Sequence, residues 1–206
     1  MPDRPDPPVL ILASRSPRRT WLLREAGYRF TQADPPFDDP AQPTIAVGQA
    51  VEDLAGQLSK QKASSLRGDL PAHAVILAAD TICIGQDNQP IGQPKDREDA
   101  RRMIRQFIQN THRVVTGVAL LVDGQDEPVT LTDLATVTLG SLSGVQLEDY
   151  LDTKEWMGKA GGYNLFDRRA EGWPLTVEGD ETTVVGLPMQ KLVPVLKTLG
   201  VLPEPR

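Results

Sequence analysis

The sequence predicts an α/β protein with a mixed, twisted sheet flanked by helices. Two unbroken apolar runs of strand length, at 9–13 and 74–79, are typical of strands that are buried on both faces. Helical patterns separate these runs, as they do where helices connect the strands of one sheet. Two longer strand-like segments then flank Asp123 and Gly124, which predicts an antiparallel hairpin within that sheet.

The first predicted unit is a strand, a polar loop and a helix. The strand covers 9–13, Pro17 begins the helix and Gly27 ends it, because proline favours the first helical position and glycine the position after the last. The following segments are predicted as a weak strand, a loop and a second helix, over 28–32, 33–44 and 47–66.

The strongest strand signal is at 73–84, where β-branched and small apolar residues continue up to Asp80. A helix at 96–108 is predicted to turn Ala100, Met103, Ile104 and Phe107 inward. The remaining segments are predicted as a turn, two hairpin strands, a helix, a glycine-rich loop and a closing helix, over 85–93, 111–122, 129–138, 145–153, 158–162 and 188–199.

Length and composition predict one domain. The 206 residues are 39% hydrophobic and 24% charged, so a sizeable core is available; we expect a flexible arm at 1–8 and a single domain at 9–206. A net charge of −6 disfavours long nucleic acids as partners. The apolar runs are too short for a membrane, the first residues lack the apolar run of a signal peptide, and Cys83 is the single cysteine. We therefore expect a cytoplasmic protein without a membrane partner.

The segment from Ser14 to Arg19 is the first candidate site. Ser16 as N-cap and Pro17 explain the helix start without any function. Arg18 and Arg19, however, lie in the first turn, where the helix dipole disfavours cations. A bound anion would reverse that effect, so the pattern favours an anion site, with a solvated basic turn or an acidic partner segment as alternatives.

Asp80 is the second candidate, because it ends an apolar strand. Ligands of open α/β sheets gather at the carboxyl ends of strands, where a carboxylate can hold a divalent ion or accept a proton from water. The alternative is that Asp80 begins a turn. The strand-like residues that follow it, from Thr81 to Ile84, speak against that alternative.

Three further features are weaker. Lys62 lies about 20° from Val51 on a helical wheel, inside the apolar stripe, so it either reaches an anion or extends past the edge of the core. Asp38 and Asp39 could complete a metal or base site, although paired acids on loops are usually solvated. Lys159 in a glycine-rich loop could contact a phosphate or a base. Cys83 and His112 are interpreted as packing residues.

Six motifs occur in an order that resembles a known family. They are Ser14-Arg15-Ser16-Pro17-Arg18-Arg19, Lys62-Ala63, Ala79-Asp80-Thr81, Thr111-His112-Arg113-Val114-Val115-Thr116-Gly117, Lys159-Ala160-Gly161-Gly162-Tyr163 and Val185-Gly186-Leu187-Pro188. This order, over residues 9–199, is similar to the Maf family of nucleoside triphosphate pyrophosphatases, whose members have also been linked to septum formation.

The resemblance implies an enzyme that cleaves the bond between the α- and β-phosphates of non-canonical or surplus nucleotides, with a divalent metal such as Mg²⁺ or Mn²⁺. It also implies an elongated, two-lobed fold like that of inosine triphosphate pyrophosphatases, with the site in a cleft, and a homodimer. Matched motif by motif, Asp80 would be the catalytic carboxylate, with Asp39 beside it at the metal. The substrate-binding residues would be Ser14, Arg18, Arg19, Lys62, Thr81, Lys159 and Phe166.

Two positions depart from the family pattern. Gln93 replaces a lysine of a Gly-Lys-Pro motif, and Phe166 replaces a glutamine of the subgroup that prefers dTTP and UTP, whereas Thr81 matches that subgroup. Thr81 thus favours dTTP and UTP, whereas Phe166, which can stack on any base, favours a broad choice. The alternatives from other classes are a non-catalytic nucleotide-binding regulator of cell division and an acidic-partner-binding domain.

Overall fold

The computed structural model describes residues 8–37, 44, 49–69 and 71–205. The strands are β1 Val9–Ala13, β2 Thr31–Ala33, β3 Ala74–Ile84, β4 Pro90–Ile91, β5 Asn110–Val122, β6 Val129–Leu139 and β7 Leu175–Glu178. The helices are α1 Pro17–Glu25, α2 Val51–Ser64, α3 Arg97–Phe107, α4 Gly144–Thr153, α5 Leu165–Ala170, α6 Glu181–Val185 and α7 Met189–Thr198.

One mixed sheet organises the fold, as the sequence predicts. Its strand order is β2-β1-β3-β5-β6-β7, and β4 pairs with β3 beside that path. Strand β1 runs parallel to both β2 and β3, whereas the pairs β3–β5, β5–β6 and β6–β7 are antiparallel. The long hairpin of β5 and β6 crosses the middle of the sheet.

The edge of β3 that faces β1 is only partly covered. The pairing of β1 with β3 ends at Leu77, and β4 pairs with β3 again only at Cys83 and Ile84. Between these points no described strand pairs with this edge of β3. Asp80 and Thr81 lie within this gap and therefore at an opening in the sheet.

Helix α2 covers one face of the sheet, which we call the α2 face. Ala55, Leu58 and Ala63 of α2 are buried against alternate residues of β3 and β5, among them Ile76 and Ile82. The helix approaches β5 so closely that a Cβ atom on Gly117 would lie 2.4 Å from the carbonyl carbon and oxygen of Ala55. Only glycine therefore fits opposite α2 at this position.

The other face carries two separate hydrophobic clusters. Helices α1 and α7 pack on Leu77 and Val118, whereas α3 and α4 pack further along the sheet on Cys83 and Val114. Because the alternation of strand residues directs Thr81 and Thr116 to this face, both lie between the two clusters. Among the described residues, no helix is long and apolar enough to cross a membrane.

Most predicted elements are confirmed, and four short ones differ. The predicted turn at 85–93 contains β4, and the chain after the glycine-rich loop forms α5, β7 and α6, which the sequence did not predict. Helix α2 begins at Val51 with Ala50 as its N-cap, later than the predicted start at 47. The predicted arm lies outside the described residues except for Pro8, as do Asp38 and Asp39 of the predicted loop.

Candidate active site

A pocket of about 420 Å³ occupies the opening beside β3. The loop that follows β1, the first turn of α1, the middle of β3 and the glycine-rich loop at 158–160 line it. Its position follows from the topology, because β1 ends where β3 continues and the start of α1 then faces the free edge of β3. This is the carboxyl end of a parallel strand, where open α/β sheets bind ligands.

Asp80 and Lys62 form a buried ion pair at the edge of the pocket. The ammonium Nζ of Lys62 lies 3.2 Å from Oδ1 of Asp80 and donates a second hydrogen bond to the carbonyl of Ala79 at 3.3 Å. Lys62 is only 4% exposed. Lys62 therefore holds the carboxylate of Asp80 in place, while Oδ2 of Asp80 has no hydrogen-bond partner among the described residues.

Arg19 is held in a fixed orientation in the pocket wall. Its Nε donates to the carbonyl of Gly186 at 3.0 Å, and its two terminal nitrogens donate to the hydroxyls of Ser14 and Thr81, both at 3.1 Å. Ser14 also accepts a hydrogen bond from the backbone N–H of Ser16. These three acceptors thus orient the guanidinium of Arg19.

Arg18 and Lys159 line the same pocket from two different elements. Burial lowers the pKa of Arg18, with the charge of Asp167 opposing that shift. Burial also lowers the pKa of Lys159; the charges of Asp167 and Glu155 oppose that shift, and those of Arg18 and Arg168 add to it. Partial burial of neighbouring cations is unfavourable, and an anion bound between them would offset that cost further.

The pocket is therefore strongly positive although the protein is acidic. Arg15, Arg18, Arg19, Lys62 and Lys159 line it, against a single carboxylate, that of Asp80, among the described lining residues. Arg15 is largely neutralised at the rim, where it pairs with Asp34 at 3.2 Å. Such a cluster of cations in a chain of net charge −6 concentrates anions at one place on the molecule.

The deeper wall of the pocket is apolar and unreactive. Burial raises the pKa of the Cys83 thiol to about 12, so the thiolate that a nucleophile requires is not formed at neutral pH. His112 is stacked on Phe107 with the ring centroids 4.0 Å apart, and Nε2 of its imidazole lies 2.7 Å from the hydroxyl of Tyr163. These contacts confirm the interpretation of Cys83 and His112 as packing residues.

The structure brings together seven of the nine predicted site residues. The pocket is lined by Ser14, Arg18, Arg19, Lys62, Asp80, Thr81 and Lys159. Phe166 does not line it; its ring packs edge-on against Trp21 with the centroids 5.8 Å apart. Asp39 lies outside the described residues.

The departure at Gln93 falls on the site itself. Gln93 is exposed and lines the pocket, so a lysine at this position would have added another cation there. Lys95 is exposed too but is not among the lining residues; its backbone N–H donates to Asp99 in the first turn of α3.

Sequence reasoning missed two buried threonines behind Arg19. Thr116 and Thr183 are both fully buried, and the hydroxyl of Thr116 donates to the carbonyl of Thr183 at 2.7 Å. The signal for Thr116 was a hydroxyl within an otherwise apolar stretch of a buried strand. Thr183 lies in the short helix α6, which no pattern predicted.

The donor set allows a divalent metal at Asp80. Magnesium is commonly held by one or two carboxylates together with substrate phosphates, so a complete protein cage is not required. No group of three or more His, Cys, Asp or Glu side chains suited to a metal occurs in the described part of the chain. Oδ2 of Asp80 is the carboxylate oxygen in the pocket that Lys62 does not engage.

Comparisons with known proteins find relatives of this chain. A family model described as Maf-like protein matches residues 9–199. A dTTP/UTP pyrophosphatase from Salinibacter ruber is 36% identical over 188 residues, which cover 91% of this chain and 89% of that protein. A dTTP/UTP pyrophosphatase from Symbiobacterium thermophilum is 40% identical over 191 residues, which cover 93% and 94%. A solved nucleoside-triphosphatase / dITP/XTP pyrophosphatase from Mycobacterium abscessus aligns over 65% of this chain and 75% of that one, with a TM-score of 0.39 and 14% identity.

Proposed function

This chain belongs to the family of Maf-like proteins, and from that premise we propose that it is a nucleoside triphosphate pyrophosphatase. It hydrolyses the bond between the α- and β-phosphates and releases a nucleoside monophosphate and pyrophosphate. The relatives that are 36% and 40% identical are named dTTP/UTP pyrophosphatases, so dTTP and UTP are the proposed substrates.

The observation that carries this proposal is the charge of the pocket. The described lining holds five cationic side chains, of which Lys62 pairs with Asp80 and Arg15 with Asp34, inside a chain of net charge −6. A triphosphate carries several negative charges in a compact chain, and guanidinium forks match its oxygens. We assign the binding of the phosphates to Arg18, Arg19 and Lys159, together with the turn at Ser14.

Asp80 is the residue to which we assign the chemistry. Water adds at phosphorus, the oxygen that links the α- and β-phosphates leaves with the pyrophosphate, and the proton of the attacking water must be accepted. Asp80 either accepts this proton or holds the metal ion, and Lys62 orients the carboxylate for either role. Positive charge near the pyrophosphate stabilises the charge that develops as it leaves.

A divalent metal such as Mg²⁺ or Mn²⁺ belongs to the proposal. Asp80 would hold it, and Asp39, which the resemblance places beside it, remains a predicted second ligand. A bound cation of this kind supplies positive charge against the phosphate oxygens. We further propose a cytoplasmic homodimer, as the resemblance implies.

The preference for a base rests on the relatives' names and on Thr81 more than on Phe166. Phe166 packs against Trp21 and does not line the pocket. Its position therefore does not support stacking of Phe166 on the base, which is the contact that would tolerate every base. The proposal therefore favours dTTP and UTP over CTP, ATP and GTP.

The test is product analysis with a panel of five triphosphates. Purified protein is incubated with dTTP, UTP, CTP, ATP or GTP and Mg²⁺ or Mn²⁺, and pyrophosphate and orthophosphate are measured separately. We expect pyrophosphate, the matching monophosphate, a preference for dTTP and UTP, and loss of release when a chelator removes the metal. Release of orthophosphate alone would contradict cleavage between the α- and β-phosphates.

The alternative of a non-catalytic nucleotide-binding regulator is favoured by one observation, the glutamine at position 93 within the pocket lining. This alternative predicts that dTTP raises the melting temperature of the protein, while no pyrophosphate is released with either metal. In that case Gln93→Lys should restore release, because the added cation would meet the departing pyrophosphate.

A further inference from the structure

Three polar side chains form one row across the middle of the sheet. Thr81 of β3 lies opposite Thr116 of β5, and Thr116 lies opposite Asp133 of β6. Directly opposed residues of antiparallel strands point to the same face, so all three lie on the face away from α2. We call Thr81, Thr116 and Asp133 the polar row.

The hydrogen bonds of the row can run in only one direction. The hydroxyl of Thr116 donates its single proton to the carbonyl of Thr183, because a carbonyl can only accept. The contact of 3.0 Å between the hydroxyls of Thr81 and Thr116 therefore has Thr81 as the donor. The oxygen of Thr81 is then an acceptor for Arg19, which donates to it at 3.1 Å.

The same row fixes helix α6 to the sheet. The hydroxyl of Thr183 donates to Oδ2 of Asp133 at 2.5 Å, and Oδ1 of Asp133 pairs with Lys191 of α7 at 2.6 Å. The residue that ends α6, Gly186, offers its carbonyl to Nε of Arg19 at 3.0 Å. The row thus reaches Arg19 by two routes, through the hydroxyl of Thr81 and through the end of α6.

We propose that Thr116 and Thr183 are positioning residues, which act through Thr81 and Gly186 to aim the guanidinium of Arg19 at the phosphates. The inference rests on the proposed function, in which Arg19 binds those phosphates. Thr81 then acts on the substrate through Arg19. Because Thr116 is fully buried and its hydroxyl both accepts from Thr81 and donates to the carbonyl of Thr183, loss of that hydroxyl leaves partners unsatisfied on both sides.

The experiment removes the hydroxyl of Thr116 and asks whether the effect depends on Arg19. Thr116→Val keeps the shape of the side chain, Thr116→Ser restores the hydroxyl, and Thr136→Val is the matched control. Thr136 lies on β6 and has no side-chain hydrogen bond to another described residue. Each change is also made together with Arg19→Ala. The readouts are kcat and KM for dTTP, and the Kd of inorganic pyrophosphate by calorimetry.

We expect Thr116→Val to lower kcat/KM about tenfold and to weaken pyrophosphate binding, whereas Thr116→Ser and Thr136→Val stay near wild type. In the Arg19→Ala background, Thr116→Val should cause no further loss, because its effect passes through Arg19. An equal loss with and without Arg19, or no loss in Thr116→Val, would overturn the proposal. If Thr116→Val does not fold, Thr183→Val removes the hydrogen bond from α6 to Asp133, on the second route to Arg19, and is judged in the same way.

Failure of the proposed function gives a different result. A wild-type protein without turnover that binds pyrophosphate, with the expected dependence on Thr116 and Arg19, would refute the pyrophosphatase and support the positioning. A wild-type protein that shows neither turnover nor pyrophosphate binding would overturn both.

Discussion

At the scale of single residues, His112 makes stability depend on pH. The residue is 3% exposed and burial lowers its pKa to about 4, from an ordinary value of 6.5. Because the unfolded chain binds the proton more readily, the stabilisation is complete above pH 6.5 and is lost progressively as the pH falls towards 4. The shift corresponds to about 3 kcal/mol.

The check is the free energy of unfolding, measured with denaturant between pH 4 and pH 7 for wild type and His112→Gln. The difference between the two proteins should shrink as the pH falls, because glutamine does not titrate. Parallel curves would show that His112 is not buried as a neutral imidazole.

Residue patterns predicted which side chains face inward but not which of them meet. The helical stripe placed Lys62 on the buried side of α2, and the strand pattern placed Asp80 at a strand end. Their ion pair joins a helix to a strand, and no local periodicity encodes such a contact. For the same reason, the sequence did not predict the hydrogen bonds of Thr116 to Thr81 and Thr183.

At the scale of elements, the close approach of α2 to β5 depends on Gly117. A Cβ atom there would lie 2.4 Å from main-chain atoms of Ala55, which cannot rotate away. Gly117→Ala should therefore push α2 off the sheet and cost about 3 kcal/mol of stability. Gly117 also pairs with Asp80 in the register, so the shift would draw Lys62 away from Asp80 and lower turnover.

Thermal unfolding and pyrophosphate release measure both effects. The matched control is Gly144→Ala at the start of α4, where a Cβ atom would meet nothing within 4 Å. A Gly117→Ala protein as stable and active as the Gly144→Ala control would show that α2 does not fix the position of Lys62.

Long elements could be predicted from the sequence, and short ones could not. Strand β3 and the hairpin of β5 and β6 carry enough residues for their apolar pattern to be unambiguous. Strand β4 has two residues and α6 has five, so neither completes a recognisable period. Their conformation depends on pairing with β3 and on the polar row, which are tertiary contacts.

At the scale of the whole molecule, the two clusters on one face of the sheet share β5. Val118 and Leu120 belong to the cluster of α1 and α7, and Val114 to the cluster of α3 and α4. Because one strand serves both, we expect a single cooperative unfolding transition, with equal calorimetric and van't Hoff enthalpies. Two separable transitions in scanning calorimetry would show that the predicted lobes of this domain fold independently.

The topology also explains why the location of the site was predictable from the sequence, whereas the gap that opens the pocket was not. The sequence predicted a strand that ends before a basic helix start, and a second apolar strand that reaches a carboxylate, that of Asp80. The gap between Leu77 and Cys83, which opens the pocket, depends on where β1 stops pairing and where β4 begins. Composition and periodicity do not indicate where β1 stops pairing with β3 or where β4 begins.

Replacement of Asp80 by asparagine tests the central claim most directly. The amide is nearly isosteric with the carboxylate, but it neither accepts the proton of water nor holds a divalent ion well.

The control is Asp126→Asn. Asp126 is a fully exposed carboxylate on the hairpin loop and is absent from the pocket lining. Pyrophosphate release from dTTP and the affinity for dTTP are measured for both variants. The account predicts that Asp80→Asn binds dTTP yet releases pyrophosphate at least about a hundredfold more slowly than the control. Release at the rate of the control would contradict it.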